Sequence, residues 1–249
     1  MPDPNDAPEH GHGTDGDAVS DGSLTDLLQR NGEWTSALPD DSFEGARETQ
    51  SPWAVSVCCS DSRVSQEGMF RASEVGSLFT PSNVGNKVIT TVENERAVDG
   101  SFLYGLETLD TPSGIVVGHT GCGAITLAYA IATGEAADAP PGITQEVDVL
   151  VEVVTEALDS GAIDADAEEG EIVNQLVEYN VDAQIGFLRG SDEISVERDL
   201  YGFVYDFQGA YGDVDGRTVL VNVDGETDTD TLRETIPDGY EDFVGSLLE

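Results

Sequence analysis

Lysine is almost missing from this chain. Of its ten basic residues only Lys87 is a lysine, and they face 50 acidic residues, for a net charge of −40 over 249 residues. With no basic patch there is nothing to neutralise phosphates, so nucleic-acid binding is excluded. Cysteine is scarce too: Cys58, Cys59 and Cys122 are the only three. An odd number with two adjacent is no disulfide framework, and it suits a reducing compartment where thiolates can hold metal. No apolar run approaches the ~20 residues of a membrane span. No basic segment followed by an apolar one marks a signal peptide, so a cytoplasmic protein is expected. The acids are spread along the whole chain, which favours adaptation to a salt-saturated cytoplasm over mimicry of nucleic acid.

Residues 1–21 hold six acids and neither Lys nor Arg. They read as a disordered acidic tail. The remainder, 22–249, reads as a single domain with a helical arm over 22–49. In the arm, Ser23 and Asp26 suggest a capping box, Leu24, Leu27 and Leu28 an apolar face, and Gly32 a stop. The run Ala54–Cys58 is a buried strand, a short helix is expected near Glu67–Ala72, and Leu78–Pro81 is a second strand. Val98, Phe102, Leu106 and Leu109 at helical spacing predict a helix over Asn94–Leu109. Ile115–Gly118 is a third strand, and helices follow from Ala124, over Gln145–Leu158 and over Glu169–Leu188. Phe203, Tyr205 and Phe207 alternate along a fourth strand, and Val219, Val221 and Val223 along a fifth. The connection between these two is too short for a crossover helix, so they form an antiparallel hairpin. The fold class is therefore α/β: a mainly parallel five-stranded sheet with an antiparallel edge strand, flanked by helices.

Two strand ends carry chemistry. The first runs into Cys59-Ser60-Asp61-Ser62-Arg63, the second into His119-Thr120-Gly121-Cys122-Gly123. Cys59, His119 and Cys122 make a Cys2His zinc set, and three protein ligands leave the fourth position open, as catalytic zinc sites do. The competing readings are a closed structural zinc or a set of buried thiols, but paired CxxC knuckles are missing. If the chain stays extended, Cys59, Asp61 and Arg63 share one side. Asp61 is then suited to orient a zinc-bound hydroxide and Arg63 to keep Asp61 ionised, although an ordinary ion pair fits the same two residues. Cys58 points the other way, into the core.

The patterns C-x-D-x-R and H-x-x-C, present as CSDSR and HTGCG, resemble those of the β-class carbonic anhydrases, and the likeness runs from about Gln50 to Gly225. The resemblance implies one Zn2+ per chain on Cys59, His119 and Cys122, with Asp61 and Arg63 as the catalytic dyad. It places a substrate-binding glutamine at Gln50, an apolar carbon dioxide pocket at Phe79, Val84 and Tyr104, and a site-facing backbone amide at Gly123. Tyr104 stands where plant-type members carry theirs. Two departures concern an inhibitory bicarbonate site found in some bacterial members: Ser82 stands in place of an arginine and Ser56 in place of a tryptophan. Their loss predicts an always-open form, with Asp61 paired to Arg63 and no steep fall in activity below pH 8. The expected reaction is CO2 + H2O ⇌ HCO3⁻ + H⁺ by attack of zinc-bound hydroxide. The alternatives are carbonyl sulfide or carbon disulfide hydrolysis on the same site, or a non-catalytic zinc-binding protein. The family is built on a homodimer, often doubled to a tetramer, in which Gln50, Phe79 and Tyr104 would serve the partner's zinc.

Overall fold

The structure, a computed structural model, describes residues 22–135 and 139–248. The tail expected over 1–21 lies outside these residues. The chain divides into two compact units, one ending at Ser42 and the other starting at Phe43.

Among the described residues the first unit holds the helix α1 (Leu24–Ala37), whose N-cap Ser23 accepts a hydrogen bond from the Asp26 amide. The expected stop at Gly32 fails, since the helix runs on to Ala37. A single glycine costs only about 1 kcal/mol in a helix interior. Here the Gly32 carbonyl also accepts the hydroxyls of Thr35 and Ser36.

In the second unit, β1 (Ala54–Cys59) leads to a short α2 (Gln66–Met69), then β2 (Leu78–Phe79) and β3 (Ser82–Asn83). A hairpin of β4 (Ile89–Val92) and β5 (Glu95–Val98) precedes α3 (Gly100–Leu103), which continues as a π-helical turn over Tyr104–Thr108. Then come β6 (Ser113–His119), α4 (Gly123–Ala132), α5 (Pro141–Ser160), α6 (Glu169–Gly190), β7 (Asp199–Asp206), β8 (Arg217–Val223) and α7 (Thr229–Thr235).

The hairpin corrects the helix expected over 94–109. Glu93 and Asn94 sit at φ 53° and 69°, the left-handed pair of a two-residue hairpin turn. The helix begins only after Asp99, whose carboxylate caps Ser101 and Phe102. Val98 falls one helical turn before Phe102 by coincidence and is a strand residue.

The sheet runs β2-β1-β6-β7-β8, with β3 sharing β1's outer edge with β2. All pairs are parallel except β7 with β8, so the expected fold class holds. Both faces of the central strands are covered. Val55, Val57 and Val116 pack with Ile125, Leu150, Val177 and Val181 of α4, α5 and α6. Ala54, Cys58, Ile115 and Val117 pack against Met69, Phe70 and Phe203 on the other face. Double burial explains why β1 and β6 read as continuous apolar runs.

The chain leaves β1 toward β2 and β3 on one side and returns as β6 on the other. The carboxyl ends of β1 and β6 thus bound a crevice at a topological switch point, where open α/β sheets place their ligands. Cys58 pairs with Val117, so Cys59 and His119 emerge side by side at that end.

Candidate active site

The side chains of Cys59, His119 and Cys122 converge, with one ligand atom from each lying within 4.8 Å of the others. Cys59 ends β1, His119 ends β6, and Cys122 is the residue before α4. The two sulfurs are 3.9 Å apart, close to the ~3.8 Å edge of a tetrahedron with Zn–S bonds of about 2.3 Å. His119 Nδ1 lies 3.0 Å from the Thr120 carbonyl. A carbonyl can only accept, so Nδ1 carries the proton and Nε2 keeps its lone pair. Nε2 is buried and, among the described residues, has no hydrogen-bond partner. A buried nitrogen lone pair beside two sulfurs fits a zinc ligand set whose other imidazole nitrogen is fixed by the backbone.

The thiols are polarised against each other. The Cys122 thiol donates to Cys59, and with His119 and the Gly85 amide, 3.4 Å away, it holds Cys59 well below an ordinary thiol. Cys122 keeps its proton because that same bond, burial and the neighbouring charge push it up. A metal held here would stand in place of the shared proton, with Cys59 and Cys122 as thiolate ligands. Cys58 is pushed up to about 12, by burial first and Cys59 second, and packs in the core as expected.

The extended course expected for Cys59–Arg63 does not occur. β1 ends at Cys59, and the Asp61 amide turns back to the Cys59 carbonyl at 2.8 Å. This turn faces the Asp61 carboxylate to Arg63, which donates from Nε to Oδ1 at 2.9 Å and from Nη2 to Oδ2 at 2.7 Å. The fork holds the Asp61 carboxyl well below the usual carboxylate range, helped by the Arg63 amide. Asp61 Oδ2 is 3.7 Å from His119 Nε2, so the ionised carboxylate stands at the mouth of the ligand cluster.

Val84 and Gly123 flank this end of the sheet: Val84 precedes the amide that donates to Cys59, and Gly123 follows Cys122 as the first residue of α4. Gln50, Phe79 and Tyr104 are not brought here. Gln50 precedes β1, and Phe79 is in register with Val55 at β1's start. The Tyr104 ring lies 6.0 Å from Phe79. Val55 and Cys59 are four residues apart on an extended strand, roughly 13 Å.

Some residues around the site escaped the sequence reading. The Phe207 ring stacks 5.8 Å from His119 and carries the Arg63 guanidinium at 4.6 Å. Asn174 accepts from the Gly121 amide, and Gln208 accepts from Asn174. The available signal was register: Tyr205 pairs with His119, so Phe207 extends past the same end of the sheet. Asn180 and Gln184 of α6 fix the loop that carries Gly85 by bonds to the Gly85 carbonyl and the Val88 amide.

Residues 54–211 match the family model described as carbonic anhydrase. The carbonic anhydrase of Pseudomonas aeruginosa is 30% identical over 171 residues, covering 67% of this chain and 74% of the relative. That of a Synechocystis species is 36% identical over 103 residues, 41% of this chain and 37% of the relative. Among solved structures, a Coccomyxa β-carbonic anhydrase in complex with acetazolamide aligns with a TM-score of 0.61 at 22% identity, covering 74% of this chain and 82% of that one. The β-carbonic anhydrase CcaA aligns at 0.59 with 24% identity, over 80% and 91%. With its sheet, its Cys2His cluster and a family match over most of its second unit, the chain belongs to the carbonic anhydrases and has the β-class fold.

Proposed function

We propose that this carbonic anhydrase performs the reversible hydration of carbon dioxide with Cys59, His119 and Cys122 holding zinc and Asp61 and Arg63 as its working pair. The carrying observation is the convergence within one crevice of two thiols, an ionised carboxylate and a buried His119 Nε2 that has no hydrogen-bond partner among the described residues. Zinc, when bound, supplies Lewis acidity that draws the pKa of a water from 15.7 toward ~7. Asp61 can only accept a hydrogen bond, because Arg63 keeps it ionised, so it orients the attacking water's proton away from the carbon. Val84 and the Gly123 amide line the near side of the pocket. The proton leaves to buffer, since the histidines other than His119 are His10 and His12, outside the described residues.

The two-point Asp61–Arg63 fork supports the always-open form, with Ser56 and Ser82 where an inhibitory site would need tryptophan and arginine. Gln50, Phe79 and Tyr104 are assigned to the zinc of a second copy. Their position at the far end of β1 supports a homodimer or larger assembly. The net charge of −40 supports a cytoplasm rich in salt. Among the described residues no helix is long and apolar enough to cross a membrane.

The test is stopped-flow carbon dioxide hydration on zinc-quantified protein, in dilute buffer and in molar salt. One zinc per chain with fast hydration in molar salt is expected, and both are lost in Cys59→Ala. Zinc without hydration in either buffer would reject carbon dioxide as substrate and turn the assay to carbonyl sulfide and carbon disulfide.

A further inference from the structure

We propose that Phe207 is a positioning residue whose ring face holds the Arg63 guanidinium against Asp61; this rests on the reading of Asp61 and Arg63 as the working pair. Arg63 is half exposed at its side chain. A long, rotamer-rich arginine in that setting does not stay in one geometry through an exposed ion pair alone. Its guanidinium is fixed from three directions. Asp61 takes the two-point fork, and the Gly121 carbonyl accepts Nη2 at 3.3 Å. The Phe207 ring lies under the guanidinium carbon at 4.6 Å. That distance is within cation–π range, where the ring's negative face attracts the cation.

The platform is itself held in place. The Phe207 amide donates to the Thr120 hydroxyl at 3.2 Å. Buried Asp206 accepts the amides of Gln208, Gly209 and Tyr211, which sets the turn beyond the strand end. The Tyr205 ring packs near-edge-on at 5.9 Å. The Gly121 carbonyl is fixed from its other side, because the Gly121 amide donates to Asn174. The same Phe207 ring also stacks with His119. One side chain thus links the arginine of the dyad to the imidazole of the ligand set, through contacts spanning more than eighty residues of sequence.

A packing role and an electrostatic one are separable. Placing mono-, di- and trifluorinated phenylalanine at position 207 keeps the ring's shape and progressively removes its negative face. Two readouts are taken on zinc-quantified protein. The first is solvent exchange of the Arg63 Nε–H, followed by nitrogen NMR and assigned by its loss in Arg63→Lys. The second is kcat and KM for carbon dioxide hydration. Exchange is expected to speed by about two- to five-fold across the series, the range an exposed cation–π contact supports. Zinc content and KM should hold while kcat falls.

Exchange and kcat that stay constant across the series would overturn the proposal. So would a Phe207→Leu protein that loses zinc while Arg63 exchange stays slow, because the ring would then serve only to pack His119. If the unmodified, zinc-loaded protein fails to hydrate carbon dioxide, the functional reading fails by itself. The exchange series still decides whether Phe207 holds Arg63.

Discussion

Alanine at Gly85 would place its Cβ 2.3 Å from Leu150 Cδ1, at a backbone φ of +84° that side chains rarely adopt. The Gly85 amide donates to Cys59 Sγ and its carbonyl accepts from Asn180, so any shift of this peptide is felt at the zinc ligands. Gly85→Ala is expected to cost about 1–3 kcal/mol of stability, from overpacking and backbone strain together. It should also weaken zinc retention. Denaturant midpoints and zinc competition against a chelator measure the two effects, and an unchanged pair of values would show that the turn repacks freely. At this scale the Cys59, His119 and Cys122 cluster and the Asp61–Arg63 ion pair were legible in the sequence because they come from two short motifs, Cys59–Arg63 and His119–Cys122, whose spacing matches their chemistry. Phe207 was not legible, since its meaning depends on Arg63 and His119, which only strand register brings near. The bend after Cys59 was hidden for a related reason. Period two holds only while a strand is paired, and β1's pairing ends there.

Elements were readable where one periodicity ruled and unreadable where two coincided. The long apolar stripes gave α5 and α6, and unbroken apolar runs gave β1 and β6. Across 94–109, strand residue Val98 stood at helical spacing from Phe102, and the Glu93-Asn94 turn carries no glycine to announce it. Helix α6 also contains a titration that composition cannot show. Asp182 is raised to about 7, by burial first and then by neighbouring Glu178, while the Asn222 amide opposes the rise. A raised acid favours the folded state while it is protonated. Its contribution is full below the unfolded value near 4 and is lost as pH rises through about 7. The loss amounts to about 3–4 kcal/mol. Urea unfolding of wild type and Asp182→Asn at pH 5 and pH 8 isolates it. Wild type should lose a few kcal/mol more than the variant between those values, and parallel losses would show that Asp182 titrates normally in the fold.

At the scale of the whole molecule, charge and symmetry decide what a single chain can do. Fifty acids against ten basic residues repel one another over a Debye length of about 30 Å at 0.01 M salt but only ~3 Å at 1 M, so assembly between like-charged copies belongs in molar salt. The second copy matters because one chain holds only half of the proposed pocket. Cys59, His119, Cys122, Asp61 and Val84 lie at one end of β1, and Gln50, Phe79 and Tyr104 are left at the other. If two-fold symmetry brings these halves together, two dead variants should rescue each other. Cys59→Ala lacks zinc but keeps Gln50, whereas Gln50→Ala keeps zinc but lacks its glutamine. In a mixed dimer, the zinc of the Gln50→Ala chain faces the intact Gln50 of the Cys59→Ala chain, which completes one site of the two. Random reassembly makes half of the dimers mixed, so about a quarter of wild-type hydration per chain should return. The variants are unfolded together, refolded in molar salt and assayed beside each variant refolded alone. Activity no greater than the average of the separate variants would mean that Gln50 does not act across an interface.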